Sequence, residues 1–480
     1  MKRNLISCLL LAATVLSLAA CQAAPEKSVV ISKNDGAFDA ALLTPNESDG
    51  NALGGSYVAY SSDFSSTDGS VQYHIRLGED QVFDGALPVT QVRPHFFTVD
   101  DAKRVSSLLF GEANLFAWTT NRPLSKPEIE EKLLIWRQLN TDDSLREIFG
   151  SDQQAIQVHR ETLENMISRY SDPSQYAAAP EAAERMPISW TFRNDEEGNS
   201  DLEAGAFLGD RCYHYWVFNR DQSDYRVNNL SAYIMNDTVS ANTENFAFMS
   251  KYYYQEMPTP EQLSEAQARA EALISQMQLG QWQIDSCKAS AQYISEDKEV
   301  YYIEVTAVPV YNGIAVTRLP QVGNLKSQDA YAENYYYSDL NLRFLPDGSL
   351  LSLQLVSPMD VVQVINDNVN VIDFPALMAQ VESQLALGDV HSLFFIESSD
   401  QSYSAEVVVD EIDLGLTRVR IKDNSTDFYY LPTVTVKGFY RIYNADGQVV
   451  YDLEAQGGEK RTLLVLNAVD SSVVNTSAGY

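Results

Sequence analysis

The stretch SDLNLRFLPDGSLLSLQLVSP, residues 338–358, predicts a β-hairpin with one apolar face. Large apolar residues take alternate positions before the turn, over 340–344, and again after it, over 351–355. Alternation with a period of two places these side chains on one face of a sheet. The Pro-Asp-Gly at 346–348 has the composition of a tight turn. The stretch therefore predicts antiparallel sheet that buries one face.

Two helix signals flank this hairpin. Thr259 starts a capping box with Gln262, a proline takes the first helical position, and apolar residues follow at spacings of three and four before a glycine. These features predict a helix over 260–279. Residues 374–387 have the same signals with Asp373 as N-cap, and they predict a second helix.

A degenerate repeat follows from these two helices. In 260–313 and in 374–470, a helix opened by proline precedes strands with alternating apolar residues. The segments YYIEVTAVPVYNG and YYLPTVTVKGFY resemble each other, although their distances from the preceding helices differ by more than a dozen residues. We therefore expect an α+β fold in which helices pack on antiparallel β-sheets, with two or more similar units.

The first twenty residues have the order of a secretory signal: a basic start, an apolar run and small residues before Cys21. The run is shorter than the ~20 residues that span a bilayer. Leu-Ala-Ala-Cys at 18–21 resembles the bacterial lipobox, which implies cleavage before Cys21 and a diacylglyceryl group on its sulfur. Two acyl chains are what stable anchoring requires. The alternative is a plain signal peptide in which Cys21 is incidental.

The chain after Cys21 begins with a segment rich in Ala, Ser, Gly, Asn and Asp, such as TPNESDGNALGGS. This composition is typical of a flexible tether. The predicted organisation is a signal peptide at 1–20, a tether at 21–70, an N-terminal α+β domain at 71–258, a central helix with antiparallel hairpins at 259–372, and a C-terminal helix with an antiparallel sheet at 373–480.

The charge balance excludes one class of partner. The chain has 34 Lys and Arg against 66 Asp and Glu, for a formal net charge of −32. Such a body repels nucleic acid and anionic lipid headgroups. We expect no nucleic-acid partner, and the acidic surface favours a basic or peptide partner.

Cys212 and Cys287 remain after the signal and the lipid site are set aside. Outside the cell a disulfide between them would close a loop worth roughly 4 kcal/mol in the chain-entropy model. The alternative is two buried thiols, and sequence alone does not show whether two cysteines are close.

The sequence contains no catalytic signature. It has no Gly-x-Ser-x-Gly, no His-Glu-x-x-His and no glycine-rich phosphate loop after a strand. Ser295-x-x-Lys298 matches a penicillin-binding signature by letters, but it falls in a polar turn and is read as chance. We expect no enzymatic activity and no cofactor.

Metal and sugar sites have only weak signals. Cys212 and His214 share a strand face and could form half of a zinc site. Loose calcium binding is possible at acidic clusters, and solvated acidic turns are the simpler reading; the clusters are Asp195, Glu197 and Asp201, and Asp410, Glu411 and Asp413. Runs of tyrosine do not form one sugar platform, because neighbouring residues in a strand face opposite sides. We predict no metal site.

Several of these segments together resemble a known family. The segments YYIEVTAVPVYNG, LRFLPDGSLLSLQLVSPMDVVQVINDNVNVIDFPALMAQVE and LLVLNAVDSSVV are similar to uncharacterised lipoproteins from Gram-positive gut bacteria, over about residues 90–475. Ser471 stands where that family usually has glycine. A more distant resemblance is to PepSY-type domains and to extracellular regulators of the Gram-positive cell-wall sensor kinase. It implies helix-on-sheet units that bind or restrain other proteins.

The expected function is non-enzymatic binding or regulation of another envelope protein, on the extracellular face of the cell membrane, with the lipid on Cys21 as anchor. One alternative is the substrate-binding lipoprotein of a transporter, whose chains usually alternate strand and helix in parallel sheets. A less favoured alternative is an envelope hydrolase that uses scattered residues.

Overall fold

The computed structural model describes residues 45–46, 52–53, 59–78, 86–118, 124–181, 186–196, 198–208, 211–220, 227–234, 242–319, 336–390, 403–421, 424 and 426–474. Cys21 and the predicted signal peptide lie outside these residues, as do His391 and Glu197.

The α-helices in the described residues are α1 Val99–Phe110, α2 Lys126–Leu139, α3 Asp142–Phe149, α4 Gln153–Tyr170, α5 Pro173–Ala178, α6 Asn242–Tyr252, α7 Pro260–Met277 and α8 Phe374–Leu385. The strands are β1 Tyr60–Ser65, β2 Val71–Leu77, β3 Val89–Pro94, β4 Leu115–Ala117, β5 Arg193–Asn194, β6 Ser200–Leu208, β7 Arg211–Arg220, β8 Val227–Ile234, β9 Trp282–Ser295, β10 Lys298–Tyr311, β11 Ile314–Ala315, β12 Asp339–Phe344, β13 Leu350–Val356, β14 Met359–Asn366, β15 Ser404–Arg420, β16 Phe428–Tyr443, β17 Val449–Asp452 and β18 Arg461–Asn467.

Local signals set the ends of the predicted helices. Helix α7 begins at the capping box of Thr259 and Gln262, as expected, with a proline in its first turn. Its end differs slightly from the prediction, since Gln278 takes the left-handed conformation that closes the helix before Gly280. Helix α8 begins with Asp373 accepting a hydrogen bond from the backbone of Ala376. Both predicted helices are therefore confirmed.

Sheet A joins the two ends of the described chain. Its strand order is β1-β2-β15-β16-β3-β14, with β17 and β18 also paired to β16. Strand β2 runs parallel to β15, and the other paired strands of this sheet are antiparallel. Helix α8 packs its apolar side, including Leu377 and Val381, against the buried face of this sheet.

Sheet B consists of two antiparallel meanders that meet at their last strands. Its order is β11-β10-β12-β13-β8-β7-β6-β4, with β9 on the outer side of β10 and β5 on β6. Strands β4, β6, β7 and β8 follow helix α1, and strands β9, β10, β12 and β13 follow helix α7. Pairing of β8 with β13 joins the two meanders. Helices α1 and α7 cover one face, where Ala102, Ala270, Tyr215 and Leu355 are buried together.

The hairpin that opened the sequence analysis is confirmed as β12 and β13. Its register pairs Leu340 with Leu355 and Leu342 with Leu353, and all four are buried under α1 and α7. Gly348 has a positive φ of 75° at the turn, a conformation that glycine adopts without strain.

These pairings correct the predicted division of the chain. Residues 60–65 fall in the predicted tether, yet they form β1, which pairs along its length with β2. Strands β2 and β3 fall in the predicted 71–258 domain but belong to the same sheet as β15 and β16. Sheet B takes strands from both sides of the 258/259 boundary. The α+β class holds, but its units are the two sheets and not consecutive blocks of sequence.

A helical insertion between β4 and β5 contains elements that the sequence analysis missed. The insertion consists of α2, α3, α4 and α5, which lie outside the two helices predicted above. Helix α6, which follows β8, packs with α2, α3 and α4 of the insertion around Trp136, Phe149 and Leu163. None of the helices in the described ranges is long and apolar enough to span a membrane.

A disulfide between Cys212 and Cys287 is not present, and the structure has both as thiols. Cys212 lies in β7 and Cys287 in β9, with β8, β13, β12 and β10 between these strands. Five inter-strand spacings of about 4.8 Å place them about 24 Å apart along the sheet. A disulfide requires Cα atoms within about 7 Å. The thiol of Cys287 instead donates to the carbonyl of Leu263 at 3.3 Å.

We expect alkylation of the unreduced, denatured protein to label both Cys212 and Cys287, because their strands are held apart by the sheet. Peptide mass spectrometry with and without prior reduction measures this directly. Equal labelling in the two samples is the expected result, and a linked pair of Cys212 and Cys287 peptides would contradict the strand order described above.

Candidate functional site

The candidate site is the face of sheet B opposite helices α1 and α7, which we call the open face. Cross-strand partners project to the same side of a sheet, so the strand register shows which residues lie together. Two lateral rows cross the central strands β7, β8, β13 and β12: Trp216, Ser231, Gln354 and Asn341 in the first, and Phe218, Asn229, Val356 and Asp339 in the second.

A cavity of about 510 Å³ lies over these two rows, within the range of about 300–1,000 Å³ typical of small-molecule sites. All four central strands contribute to its wall. Tyr233, which lies opposite His214 on the neighbouring strand, and Tyr336 add aromatic surface. The site is therefore assembled from both meanders of sheet B, at the point where they meet.

Aromatic side chains follow one side of β7 at alternate positions. The ring centroids of Trp216 and Phe218 are 4.6 Å apart, and those of His214 and Trp216 are 6.3 Å apart. The guanidinium of Arg220 lies 4.7 Å from the centre of the Phe218 ring, in the arrangement of a cation–π contact. Trp118 extends the row, with its ring stacked 4.4 Å from that of His214.

Two polar atoms in the wall of this cavity have no hydrogen-bond partner among the described residues: Trp216 Nε1 and Asn229 Oδ1. Asn229 is only 4% exposed. A buried polar group without a partner costs about 1–3 kcal/mol. One atom is a donor and the other an acceptor, and both are buried beneath the surface that the cavity presents.

The charged groups around the cavity are paired with each other. Glu304 accepts hydrogen bonds from Asn341 at 2.9 Å and from Arg343 at 3.2 Å. Burial raises the pKa of Glu304, but these two donors lower it more, and the net direction is downward. Arg318 donates to Asp339 at 3.2 Å, although burial keeps the pKa of Asp339 above its ordinary value. The remaining polar groups of the two rows are uncharged.

Hydrogen bonds hold the imidazole of His214 in place at one end of the aromatic row. Its Nδ1 lies 2.6 Å from the hydroxyl of Tyr233, and its Nε2 lies 3.3 Å from Glu203. Burial lowers the pKa of His214, against the opposing effect of Glu203. Cys212 lies on the same strand face but does not join His214 in a metal cluster. In the described part of the chain no group of three or more His, Cys, Asp or Glu side chains could hold a metal ion.

A second cluster of charges lies at the junction of the two sheets. His95, between β3 and α1, has Nδ1 at 2.9 Å from Asp360 in β14 and Nε2 at 3.3 Å from Asp101 in α1. Burial lowers the pKa of His95, but the two carboxylates raise it more, to about 9. The imidazolium therefore links an edge strand of sheet A to a helix that covers sheet B.

The acidic clusters considered for calcium are engaged in other contacts. Arg193 pairs with Asp201, and Asp195 accepts from the backbone of Asn199 at 2.8 Å. In the second cluster, Glu411 lies 2.8 Å from Lys460. Burial raises the pKa of Glu411, but Lys460 and Lys437 lower it to about 2. Asp195 therefore belongs to a local turn, and Asp201, Asp410, Glu411 and Asp413 belong to ion pairs.

The Ser295 and Lys298 of the chance motif are cross-strand neighbours at the β9–β10 turn. Lys298 Nζ donates to Ser250 Oγ at 2.8 Å, which ties the hairpin to α6. Ser295 Oγ donates to Asp297 at 3.0 Å. These contacts connect the β9–β10 turn to α6.

No run of tyrosine marks the open face, because its aromatic row occupies alternate positions of one strand. The segment CYHYWVFN, residues 212–219, has a period-two pattern that places His214, Trp216 and Phe218 on one side of a strand. The polar partners Asn229, Asn341 and others come from three further strands with no shared motif.

Comparison with known proteins gives no family for this chain. No family model matches the sequence, and no curated protein is significantly similar to it. One solved structure that matches in fold search is an uncharacterised protein from Eubacterium rectale, with 12% sequence identity and a TM-score of 0.41. The alignment covers 91% of this chain and 98% of that chain.

Proposed function

We propose that this protein is a non-enzymatic binding protein of the cell envelope, held at the extracellular face of the membrane by a lipid on Cys21. Its binding site is the open face of sheet B. The observation that carries the proposal is the cavity over β7, β8, β13 and β12, whose wall combines aromatic side chains with uncharged amides.

The arrangement of this wall supports binding more than catalysis. The titratable groups near it are held in pairs, Glu304 with Arg343 and Asp339 with Arg318. A general acid or base requires a group within hydrogen-bond reach of the substrate and able to release or take a proton there. A wall of aromatic rings and uncharged amides supplies contact area and direction instead.

The transporter alternative has less support. Substrate-binding lipoproteins of that type were expected to show parallel strands with intervening helices. Among the strands that the structure describes, β2 pairs with β15 in parallel, and all the other named strand pairs are antiparallel. The ligand site also lies on a sheet face, not at the carboxyl ends of parallel strands.

Site-specific photocrosslinking in cells that express the full chain tests the proposal. A photoreactive residue at Gln354, which is exposed in the first row of the open face, is expected to capture an envelope component. The same residue at Gln363, exposed on β14 of sheet A, is the matched control. The capture at 354 is expected to fall in a Cys21→Ala variant, because that variant lacks the anchor that concentrates the protein at the envelope.

If positions 354 and 363 gave the same crosslinked products in equal yield, the assignment of the open face as the binding site would be contradicted. Capture that is unchanged in the Cys21→Ala variant would contradict the anchored location. Antibody detection of the Cys21→Ala variant in the membrane and soluble fractions reports the anchoring independently of any binding.

A further inference from the structure

We propose that a second cavity, between helices α4 and α6 and one corner of sheet B, binds an uncharged apolar molecule through a single hydroxyl group. This cavity shares no lining residue with the one on the open face, so the inference goes beyond the proposed function. It is carried by the juxtaposition of an accessible apolar wall, a ring nitrogen of a buried histidine and a lining of uncharged side chains.

The cavity has a volume of about 700 Å³, within the range of about 300–1,000 Å³ typical of small-molecule sites. Its lining includes Val158 and His159 of α4, Phe246, Phe248 and Met249 of α6, and Leu351 of β13. All of these residues except His159 are at least partly exposed, and Val158 is 52% exposed. The apolar wall is therefore open to a molecule that enters from solvent.

His159 contributes a polar atom to this wall. The residue is 7% exposed, and its imidazole is stacked on the ring of Phe149, with the centroids 4.3 Å apart, and perpendicular to the ring of Phe246 at 5.0 Å. Its Nδ1 lies 2.8 Å from Thr243 Oγ1. Its Nε2 has no hydrogen-bond partner among the described residues but is not one of the sealed polar atoms. The ring is thus held in place with one nitrogen left for a ligand.

A hydroxyl is the polar group that fits this nitrogen best. Thr243 is able to donate to Nδ1 or to accept from it, so Nε2 is a donor in one tautomer of the imidazole and an acceptor in the other. A hydroxyl both donates and accepts, and it pairs with Nε2 in either tautomer. Burial lowers the pKa of His159, against the opposing effect of Asp152, so the ring is neutral at pH 7 and supplies no charge to hold a carboxylate or phosphate.

The other lining residues also favour an uncharged ligand. In the described part of the chain, none of the residues that line this cavity is Asp, Glu, Lys or Arg. The further polar side chains are Asn245, Tyr253 and Gln292, which are uncharged. A carboxylate or ammonium group placed against this wall would lose hydration without gaining an ion-pair partner. The net charge of −32 adds a repulsion against anions.

Isothermal titration of the purified protein with 1-octanol and 2-naphthol tests the assignment, because these two probes attach one hydroxyl to a flexible chain and to a flat ring system. We expect at least one of them to bind with a Kd below about 1 mM. Octanoate and 2-naphthoate are the charged counterparts. Each is expected to bind at least about 10-fold more weakly than the corresponding alcohol.

Two substitutions locate the bound alcohol. His159→Phe keeps a ring beside Phe149 but removes the ring nitrogens, and we expect it to weaken binding about 5- to 10-fold, the equivalent of one hydrogen bond. Met249→Trp fills part of the cavity and is expected to weaken binding at least about 10-fold. Met186→Trp, at a 51% exposed position outside the lining, is the matched control and is expected to leave the Kd unchanged.

Thermal unfolding without ligand shows whether each variant is folded at the temperature of the titration. His159→Phe removes the ring partner of Thr243, so its Tm is expected to fall. Met249→Trp changes a partly exposed residue and keeps the contact between His159 and Thr243, so it tests the site even if His159→Phe does not fold.

Failure of both alcohols to bind up to about 3 mM overturns the assignment. Carboxylates that bind as tightly as the alcohols overturn the uncharged ligand class. A Kd that is unchanged in folded His159→Phe or in Met249→Trp overturns the site. Photocrosslinking at Gln354 tests the open face separately, because Gln354 does not line this cavity, so the two proposals stand or fail independently.

Discussion

Replacement of Trp136 by alanine is expected to lower the free energy of unfolding by about 3–5 kcal/mol, the usual cost of removing a large buried aromatic side chain. Trp136 in α2 is 0% exposed and lies at the centre of the helical insertion. Its ring centroid is 5.5 Å from that of Tyr170 in α4, and its Nε1 donates to Glu244 in α6. The change therefore removes packing between three helices and one partner of a buried carboxylate.

Denaturant unfolding followed by circular dichroism measures this loss. Leu134→Ala in the same helix is the matched control, because Leu134 is 59% exposed and its truncation leaves the packed cluster intact. Surface changes of this kind usually alter stability by no more than about 0.5 kcal/mol. If the two variants were equally stable, the insertion would not be held by the cluster around Trp136.

Stability is expected to fall as the pH rises through about 9, and this fall is expected to be reduced in His95→Gln. The folded protein raises the pKa of His95 from 6.5 to about 9, so it binds the proton more tightly than the unfolded chain does. The contribution is complete below about pH 6.5 and is lost as the pH passes 9. The shift corresponds to at most about 3 kcal/mol, and the 62% exposure of Asp360 reduces this figure through solvent screening.

The measurement is the difference in free energy of unfolding between wild-type protein and His95→Gln at several pH values from 6 to 10. The difference is expected to shrink as the pH rises. Asp360→Asn provides an intermediate case, because Asp101 still faces the other ring nitrogen. Parallel pH profiles for wild type and His95→Gln would show that the link between β14 and α1 does not depend on the imidazolium.

The elements that the sequence predicted well are those specified by neighbouring residues. The capping box before α7, the proline and N-cap of α8, and the alternation in β12 and β13 act over a few residues, and each is confirmed. A hairpin also fixes its own partner, because a short turn leaves no other strand within reach.

The arrangement of the sheets depended on contacts that sequence patterns do not encode. Strand β2 pairs with β15 across more than three hundred residues, and β3 pairs with β16. Nothing in the alternation of 71–77 shows which strand it will join, so the predicted boundaries followed sequence order. The sequence left open whether Cys212 and Cys287 pair for the same reason, because the distance between them depends on the order of β8, β13, β12 and β10.

The candidate site could be predicted only in part. Alternate aromatics in β7 are visible in the sequence, and they indicate one side of a strand. Their polar neighbours become neighbours only when β8 pairs with β13, because Asn229 and Asn341 are more than one hundred residues apart. An unpaired donor or acceptor is a property of the finished packing, so no pattern of letters predicts it.

The strand order of the two sheets also determines when each can form during synthesis. All the strands of sheet B lie between residues 115 and 356, so it is complete before the last quarter of the chain is made. Sheet A needs β15 beside β2 and β16 beside β3, so the β1–β2 hairpin and β3 wait for these partners until residues 404–443 emerge. Pairing of such distant segments is slow, and waiting strands expose apolar surface to aggregation. Strands β1 to β3 are therefore among the last to join their sheet, and a chain that ends after β13 would keep sheet B while β2 and β3 lack β15 and β16.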